Sequence, residues 1–293
     1  MSTALAVALP RRVPGWERLL RTPKFVVPGL VLLAILAVAL AAPLIAPHEP
    51  YEQMLTRRLL PPAFLHLPRV NPAYPLGTDG LGRDMLSRLI FGARISLLIG
   101  STAMLLSGLI GTVIGIATGY FGGRVDAVLS FVVMTRLAMP IIMVALAVVA
   151  LVGASLQTVV LVLGFLLWDR FAVVMRSATM QLRALDYVAA AQAVGCGTLR
   201  ILFRTLLPNL ASGLIVVATY EVGQAILLEA AFSFLGFGVQ PPLPSWGLMI
   251  SEGKRFIFGQ PWMTLIPGVA ICVLVLAINL LGDGIRDATA PGS

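Results

Sequence analysis

The sequence predicts an all-α polytopic membrane protein with six transmembrane helices, and three observations support this fold class. The chain of 293 residues is 58% hydrophobic and only 12% charged, whereas soluble proteins carry about 25% charged residues. Its mean hydropathy is +0.95. Apolar runs recur along the chain, and they approach or exceed the roughly 20 residues that a helix needs to cross the hydrocarbon core.

Each of six apolar segments is predicted to form one helix. The first, FVVPGLVLLAILAVALAAPLIA, is too long for the apolar region of a cleaved signal peptide. The fourth is interrupted by Trp168, Asp169 and Arg170. The six predicted spans cover residues 25–46, 95–120, 127–152, 155–175, 212–234 and 264–281.

These spans divide the chain into consecutive parts. The segment after the first span is rich in proline, which excludes a regular helix there. The stretch PLGTDGLGRDMLSRLIFGARISL then predicts a short interfacial helix that starts after Asp79 or Gly80. The predicted parts are an N-terminal arm (1–24), the first transmembrane helix (25–46), an external segment with the interfacial helix (47–93), a core of five helices (94–284) that includes a loop at 176–211, and a tail (285–293).

Basic residues set the predicted orientation. The positive-inside rule places the N-terminal arm in the cytoplasm, because it carries Arg11, Arg12, Arg18, Arg21 and Lys24. An even number of spans puts the tail, with Arg286, on the same side, together with the loop that carries Arg183, Arg200 and Arg204. The stretch between the first and second spans conflicts with the rule, since it contains Arg57, Arg58, Arg69, Arg83, Arg88 and Arg94. The first span usually dominates orientation, so both termini are expected in the cytoplasm.

The sequence lacks the motifs of a nucleotide-binding or hydrolytic enzyme. It contains no G-x-x-x-x-G-K-[ST] loop, no H-E-x-x-H and no G-x-S-x-G, and no histidine in a predicted span that could serve a serine nucleophile. Cys196, Cys272, His48 and His66 are isolated, so no disulfide framework or metal-ligand spacing is present. The net charge of +8 is dispersed, which argues against nucleic-acid binding. The chain is therefore predicted to be non-catalytic and to bind no metal or cofactor.

Few ionisable residues fall inside the predicted spans. Arg136, Glu221 and Glu229 do so, and each would cost about 2.5–3.5 kcal/mol at a helix centre unless it faced protein or water. Glu221 and Gln224 share one face of the fifth span, with Glu229 at its edge. These four residues are the candidates for a translocation pathway. The alternatives are an ion pair between Arg136 and Glu221, or an interfacial position for Arg136.

The most informative polar stretch is DYVAAAQAVGCGTLRILFRTLLPN, residues 186–209. Its alanines allow close approach of a partner, and Gly195 and Gly197 permit a turn with positive φ. After the turn, Leu199, Leu202, Phe203 and Leu206 form an apolar face at helical spacing. The pattern is typical either of a docking hairpin or of an interfacial helix lying on the bilayer.

Four stretches resemble the C-type permease subunit of bacterial dipeptide, oligopeptide and nickel ABC importers. They are the segment at 75–97, the stretch at 186–209, SFLGFGVQPPLPSWGLMISEG at 233–253 and NLLGDGIRDA at 279–288. The second resembles the family's EAA loop, whose pattern is E-A-A, three residues, G, nine residues, I-x-L-P. Ala190, Ala191, Gly195, Leu207 and Pro208 match that pattern, whereas Ala189 stands at the glutamate and Thr205 at the isoleucine.

The resemblance implies a type I importer fold like that of the methionine importer, in a bacterial inner membrane. It further implies a heterodimer with a second permease, two ATP-binding subunits that carry ATP and Mg²⁺, and an external substrate-binding protein. The implied ATPase-coupling residues are Asp186, Ala189, Ala190, Ala191, Gly195, Leu199, Arg200, Phe203, Arg204 and Pro208. Because Ala189 lacks the motif's acid, Asp186 is the nearby candidate for that charge. The family's arginine and acid shortly after Asp126 are also missing, because that stretch is apolar here.

These observations predict the pore subunit of an ATP-driven importer, with di- and oligopeptides as the first substrate candidates. Nickel chelates, glutathione and oligosaccharides remain alternatives within the same architecture. A stand-alone secondary transporter or channel would require internal inverted repeats of broken helices, and no repeat is visible between the halves. An intramembrane enzyme is the remaining alternative.

Overall fold

The computed structural model describes residues 23–65 and 67–289. Within these ranges the protein is helical, with one isolated β-bridge between Thr78 and Asp84 and no strand, so the predicted all-α class is confirmed. Several predictions lie outside the described residues, namely those on Arg11, Arg12, Arg18, Arg21, His66 and residues 290–293.

The helices are α1 (Pro23–Leu40), α2 (Met85–Phe121), α3 (Gly123–Ala138), α4 (Ile141–Val152), α5 (Leu156–Leu166), α6 (Trp168–Arg183), α7 (Asp186–Ala193), α8 (Thr198–Phe234), α9 (Trp246–Gly253) and α10 (Trp262–Thr289). Short helical turns lie at Ala42–Ile45, Leu55–Arg57, Ala63–Leu65 and Lys254–Phe256.

Four helical segments in the described part of the chain are long and apolar enough to cross a membrane: α2, α5 together with α6, α8, and α10 as far as Asp287. The pair α3 and α4 passes the same test but is sharply bent, and the apolar stretch Lys24–Leu40 of α1 is shorter. The predicted six spans are therefore reached only if the bent pair and the short first helix each count as one span.

The third predicted span is not a straight helix, as expected from its apolar run, but bends by 85° between α3 and α4. Met139 is extended, with φ −88° and ψ 125°, because a residue before proline is disfavoured in the α region. Pro140 follows and offers no N–H to the helical ladder. The prediction of one continuous helix over 127–152 is wrong for this local reason.

The prediction of a short interfacial helix that starts after Asp79 or Gly80 is also wrong. Residues 79–84 form a turn, and one helix then runs from Met85 without interruption to Phe121. The side chain of Asp84 caps this helix by accepting from the backbone N–H groups of Leu86 and Ser87 at 3.3 and 3.0 Å. The predicted boundary between external segment and core, at 93/94, therefore falls inside α2.

The fourth and fifth predicted spans extend further than their apolar runs. The fourth begins as predicted near Ser155, whose hydroxyl caps α5, and breaks at Leu167, but α6 then continues beyond residue 175 to Arg183. The fifth begins at Thr198 instead of residue 212, so the second arm of the hairpin and the fifth span are one helix. A π-helical segment, Ile201–Leu206, precedes Pro208 within it.

A seam of small residues joins α2 to α6. Gly111, Gly115 and Gly119 follow each other at one-turn intervals on α2. A Cβ on Gly115 would lie 2.5 Å from the carbonyl oxygen of Ala172, and one on Gly119 would lie 2.6 Å from that of Arg176. The two helices therefore approach to backbone contact, as membrane helices with small-xxx-small spacing do.

Both ends of the described chain lie at one end of the bundle. α8 and α10 are antiparallel, since Thr219 is next to Gly282 and Gly223 is next to Asn279, so the end of α10 is directed toward the hairpin end of α8. The start of α1 lies there too, because Lys24 Nζ is 3.9 Å from a carboxylate oxygen of Asp287. The hairpin formed by α7 and the first turns of α8 is at this same end.

Candidate functional site

The hairpin of residues 186–209 turns through a Schellman motif. α7 ends at Ala193, and Gly195 follows with φ +80°. The N–H of Cys196 donates to the carbonyl oxygen of Ala191, and that of Gly195 to Gln192, both at 3.0 Å, which satisfies the last carbonyls of the helix. The predicted turn with positive φ is thus found at Gly195, whereas Gly197 is extended.

Apolar side chains anchor this hairpin to the bundle. Val188 on α7, together with Ile201 and Leu206 in the π-helical segment, is almost fully buried. They pack in one cluster with Tyr120 at the end of α2 and Met175 on α6. The hairpin is therefore tied to the ends of two long helices that cross the bundle.

The remaining surface of the hairpin is exposed. Most of the predicted coupling residues lie on this surface, with only Ala191 half-buried. Asp186 and Ala189, three residues apart on α7, are both exposed and share a face. A carboxylate is thus next to the position at which the resemblance expects an acid. The exposed members are Asp186, Ala189, Ala190, Gly195, Leu199, Arg200, Phe203, Arg204 and Pro208.

Two of the predicted coupling residues face sideways rather than along the hairpin tip. Leu199 and Phe203 are 70% and 64% exposed and line an apolar groove of about 720 Å³ between α2 and α8. Their neighbours in the groove include Leu109 and Val113 on the apolar surface of α2. Of the predicted apolar face, only Leu206 and part of Leu202 pack inward.

The four candidates for the translocation pathway are not brought together. Arg136 does not pair with Glu221: its guanidinium donates to the backbone carbonyls of Met139 and Leu166. These carbonyls lie at the break between α3 and α4 and at the end of α5, so Arg136 caps two helix interruptions. The ion pair considered between Arg136 and Glu221 is therefore absent.

Glu229 belongs to the opposite end of α8. It is buried, and one carboxylate oxygen accepts hydrogen bonds from the hydroxyls of Ser233 at 2.7 Å and Ser245 at 2.8 Å. These hydrogen bonds connect α8 to Ser245, the residue that immediately precedes α9. Gln224, five residues earlier, is half-buried.

Glu221 pairs instead with Arg170, one of the polar residues that interrupt the fourth apolar run of the sequence. Its side chain is 0% exposed, and its Oε1 lies 3.6 Å from Nε of Arg170 on α6. The Arg170 guanidinium also lies over the ring of Tyr220, 4.5 Å from its centroid. Arg170 lines a cavity of about 650 Å³ between α6, α8 and α10.

Asp126 on α3 makes the best-formed ion pair at the hairpin end of the bundle. Arg176 on α6 donates from Nε and Nη2 to the two carboxylate oxygens of Asp126, at 2.7 and 2.8 Å. The acid and arginine expected after Asp126 are missing from the sequence, but Asp126 itself has an arginine partner 50 residues later.

A second group of charges, which we call the ionic cluster, lies at the other end of α2. It consists of Asp79, Arg83, Arg88 and Glu252. Arg83 donates from Nε to Asp79 at 2.7 Å and from Nη2 to both oxygens of Glu252 at 2.9 Å. Arg88, 1% exposed, donates to Asp79 and also to Glu252, the latter at 2.7 Å. The cluster joins the start of α2 to α9.

The ionic cluster also accounts for two of the arginines that conflict with the positive-inside rule. Burial lowers the pKa of Arg83, but the charges of Asp79 and Glu252 and their hydrogen bonds outweigh it, so this pKa lies above its ordinary value. Arg83 and Arg88 are thus neutralised by carboxylates. The sequence signal was the i,i+4 spacing of Asp79 and Arg83; nothing pointed to Glu252.

A bundle of apolar helices with an exposed hairpin at one end is compatible with a membrane transport subunit. Residues 111–292 match the family of binding-protein-dependent transport system inner membrane components. Residues 14–62 match the N-terminal transmembrane domain of oligopeptide transport permease C. The chain belongs to the family of binding-protein-dependent transport system inner membrane components.

Curated relatives agree along most of the chain. It is 41% identical over 264 residues to a dipeptide transport system permease protein of Haemophilus influenzae, which covers 90% of this chain and 89% of the relative. It is 41% identical over 262 residues to a di/tripeptide transport system permease protein of Pseudomonas aeruginosa, covering 89% and 86%. A glutathione transport system permease protein of Pectobacterium atrosepticum is 36% identical over 280 residues, covering 94% and 89%.

The fold matches a solved transporter. An inward-facing structure of the MetNI methionine ABC transporter superposes with a TM-score of 0.58 at 19% identity, covering 70% of this chain and 98% of that one. This likeness confirms the predicted type I importer fold. Family membership makes the protein a multi-pass permease subunit of the bacterial inner membrane, and it implies ATPase and substrate-binding protein partners.

Proposed function

We propose that the chain is one of two non-identical permeases that form the pore of an ATP-driven importer of di- and oligopeptides. Peptides are the proposed cargo because the dipeptide and di/tripeptide permeases above are 41% identical to this chain. Glutathione, itself a tripeptide, is the second candidate, because a glutathione permease is 36% identical. Nickel chelates are a more distant possibility in the same architecture.

The observation that carries this proposal is the exposed hairpin on rigid anchors. Val188 and Leu206 fix it to the bundle, while its small residues Ala189 and Ala190 remain uncovered. We infer that a groove on each ATP-binding subunit receives such a hairpin. Closure of the ATPases on ATP and Mg²⁺ then moves the hairpin and shifts the pore between inward-open and outward-open populations. The chain itself performs no catalysis and binds no cofactor in this scheme.

The proposed orientation follows from the same geometry. The hairpin must face the cytoplasm to reach an ATPase, and the start of α1 and the end of α10 lie at that end of the bundle. Both termini are therefore proposed to be cytoplasmic. The ionic cluster then lies on the external side, where the substrate-binding protein docks.

The test is co-expression with a second permease, two ATPases and the binding protein, followed by peptide uptake into proteoliposomes. Gly195→Trp should leave the complex assembled in the membrane but uncouple it, because the bulky side chain occupies the open space at the hairpin tip and strains the turn at φ +80°. Gly268→Trp, on α10 and equally open, is the control for added bulk away from the hairpin. Normal peptide uptake by Gly195→Trp would contradict coupling at this hairpin.

Uptake by the purified chain alone would support a stand-alone transporter instead. Turnover of a substrate by the purified chain would support an enzyme. Either result would overturn the proposed function.

A further inference from the structure

The cavity beside Arg170 lies between α6, α8 and the last turns of α10. Arg170 is 13 residues before the end of α6 at Arg183, which places it about 20 Å from that end at 1.5 Å per residue. Its partner Glu221 lies near Thr219, which packs against Gly282, so the pair is about 10 Å from the end of α10 at Thr289. The cavity's polar wall residues are Arg170, Thr219, Tyr220, Asn279, Asp283 and Arg286.

Arg170 is half exposed on the wall of this cavity. Its side chain retains 49% of its accessible surface, whereas its counter-charge Glu221 retains none. Glu221 is also absent from the cavity wall. Arg170 is therefore accessible from the cavity, whereas Glu221 is buried in the protein behind it.

The contact between Glu221 and Arg170 is loose, and the guanidinium also contacts Tyr220, which leaves part of its set of N–H donors available. At 3.6 Å the Nε–Oε1 separation exceeds hydrogen-bond distance, and neither oxygen of Glu221 accepts a hydrogen bond from the described residues. Glu221 offsets the charge of Arg170 without using its forked N–H donors. Such a fork matches the geometry of a carboxylate, which it binds through two parallel hydrogen bonds.

We propose that Arg170 binds the C-terminal carboxylate of a peptide as it passes through this cavity, and that Glu221 positions Arg170 for this contact. The inference rests on the proposed function. The cavity volume of about 650 Å³ falls within the range of small-molecule sites, about 300–1,000 Å³. Because Glu221 already balances the charge, the carboxylate is held weakly and leaves toward the cytoplasm.

The experiment uses the reconstituted complex with both permeases, the ATPases and the binding protein. Arg170→Gln alone would leave the Glu221 carboxylate buried without a counter-charge, which is strongly destabilising. The informative variant is therefore the double substitution Arg170→Gln/Glu221→Gln, which removes both charges. Glu221→Gln alone is the second variant, because it keeps Arg170 on the cavity wall.

Uptake of L-alanyl-L-alanine and of its C-terminal amide is measured per ATP hydrolysed, at concentrations that saturate the binding protein. All variants share that binding protein, so its own preference cancels when variants are compared.

In the double variant we expect uptake of the free acid per ATP to fall about tenfold or more, since hydrogen bonds to charged groups contribute at this scale. ATP hydrolysis stimulated by the loaded binding protein and any uptake of the amide should stay within about twofold of wild type. Glu221→Gln alone should keep the preference for the acid but lower its uptake per ATP, because Arg170 is then less well positioned and its unbalanced charge holds the carboxylate longer.

An unchanged yield of free acid per ATP in the double variant would overturn the assignment of Arg170. A parallel loss of acid uptake, amide uptake and ATP hydrolysis would also overturn it, because it would show a purely structural ion pair. If the wild-type complex imports no peptide while its ATPase is active, the proposed function fails, and that failure is seen before any variant is made.

Discussion

The two ends of α2 are held by different chemistry. At its start, the ionic cluster locks the helix to α9 through buried charges that lie 164 to 169 residues apart in sequence. At its end, Tyr120 packs against the apolar anchors of the hairpin, and the rest of the hairpin is bare. The charge pairs hold the start of α2 in one geometry. The small, exposed side chains of the hairpin at the other end leave room for a partner protein to bind.

The largest effect is expected from a substitution in the ionic cluster at the start of α2. Arg88→Met should destabilise the protein by about 3–5 kcal/mol, because it leaves Asp79 and Glu252 with fewer positive partners in a buried site. The measurement is the thermal midpoint of the complex in detergent. Arg58→Met is the control, since Arg58 is exposed and its loss should shift the midpoint little. Equal midpoints for the two variants would show that the ionic cluster is not the stabilising contact.

The next effect concerns the anchor of the hairpin. Val188→Ala should cost about 2 kcal/mol, since it removes two methyl groups from a fully buried site. Amide hydrogen exchange of residues 186–193 should accelerate. Val194→Ala, at a position 83% exposed, should leave exchange unchanged. Protection that survives in Val188→Ala would mean that the hairpin is held by other contacts.

A smaller effect is expected at the turn itself. Gly195→Ala should cost roughly 1 kcal/mol, because an L side chain is strained at φ +80°. Gly197→Ala should cost less, since Gly197 has φ −63° and nothing lies near its Cβ position. Melting temperatures of the two variants provide the comparison. A larger loss at Gly197 would contradict the Schellman turn.

The smallest effect tests the exposed acid. Asp186→Asn should weaken α7 by about 0.5 kcal/mol, since a carboxylate in the first turn of a helix interacts favourably with its dipole. If Asp186 also replaces the acid missing at Ala189, binding of the ATPase should weaken in addition and depend on salt. Asp186→Asn/Ala189→Glu should restore that binding. An Asp186→Asn protein that binds the ATPase normally would assign the contact to shape alone.

The sequence identified the hairpin well because its signals are local. Gly195 has the predicted positive φ, and Ala189 and Ala190 before it are exposed. Local signals also exist elsewhere: Pro140 stands inside the third apolar run and accounts for the backbone break between α3 and α4, which hydrophobicity alone does not indicate. The glycines at 111, 115 and 119 likewise marked the seam between α2 and α6.

The pairing of charges could not be read from spacing. Glu252 meets Arg83 and Arg88 only after the whole core has folded between them. Arg170 likewise pairs with Glu221, 51 residues later in the chain. The sequence suggested Arg136 as the partner of Glu221. Long-range partners depend on helix rotation and depth, and a single sequence fixes neither for helices that are apolar on all sides.

The glycine seam between α2 and α6 has a mechanical consequence. Because the backbones are in contact along three successive turns, we expect α2 and α6 to move together as one body. The hairpin packs against the end of α2 and against Met175 on α6, and Arg170 lies near the start of α6. A displacement of the hairpin is therefore expected to move Arg170 as well, through the paired helices rather than through α6 alone.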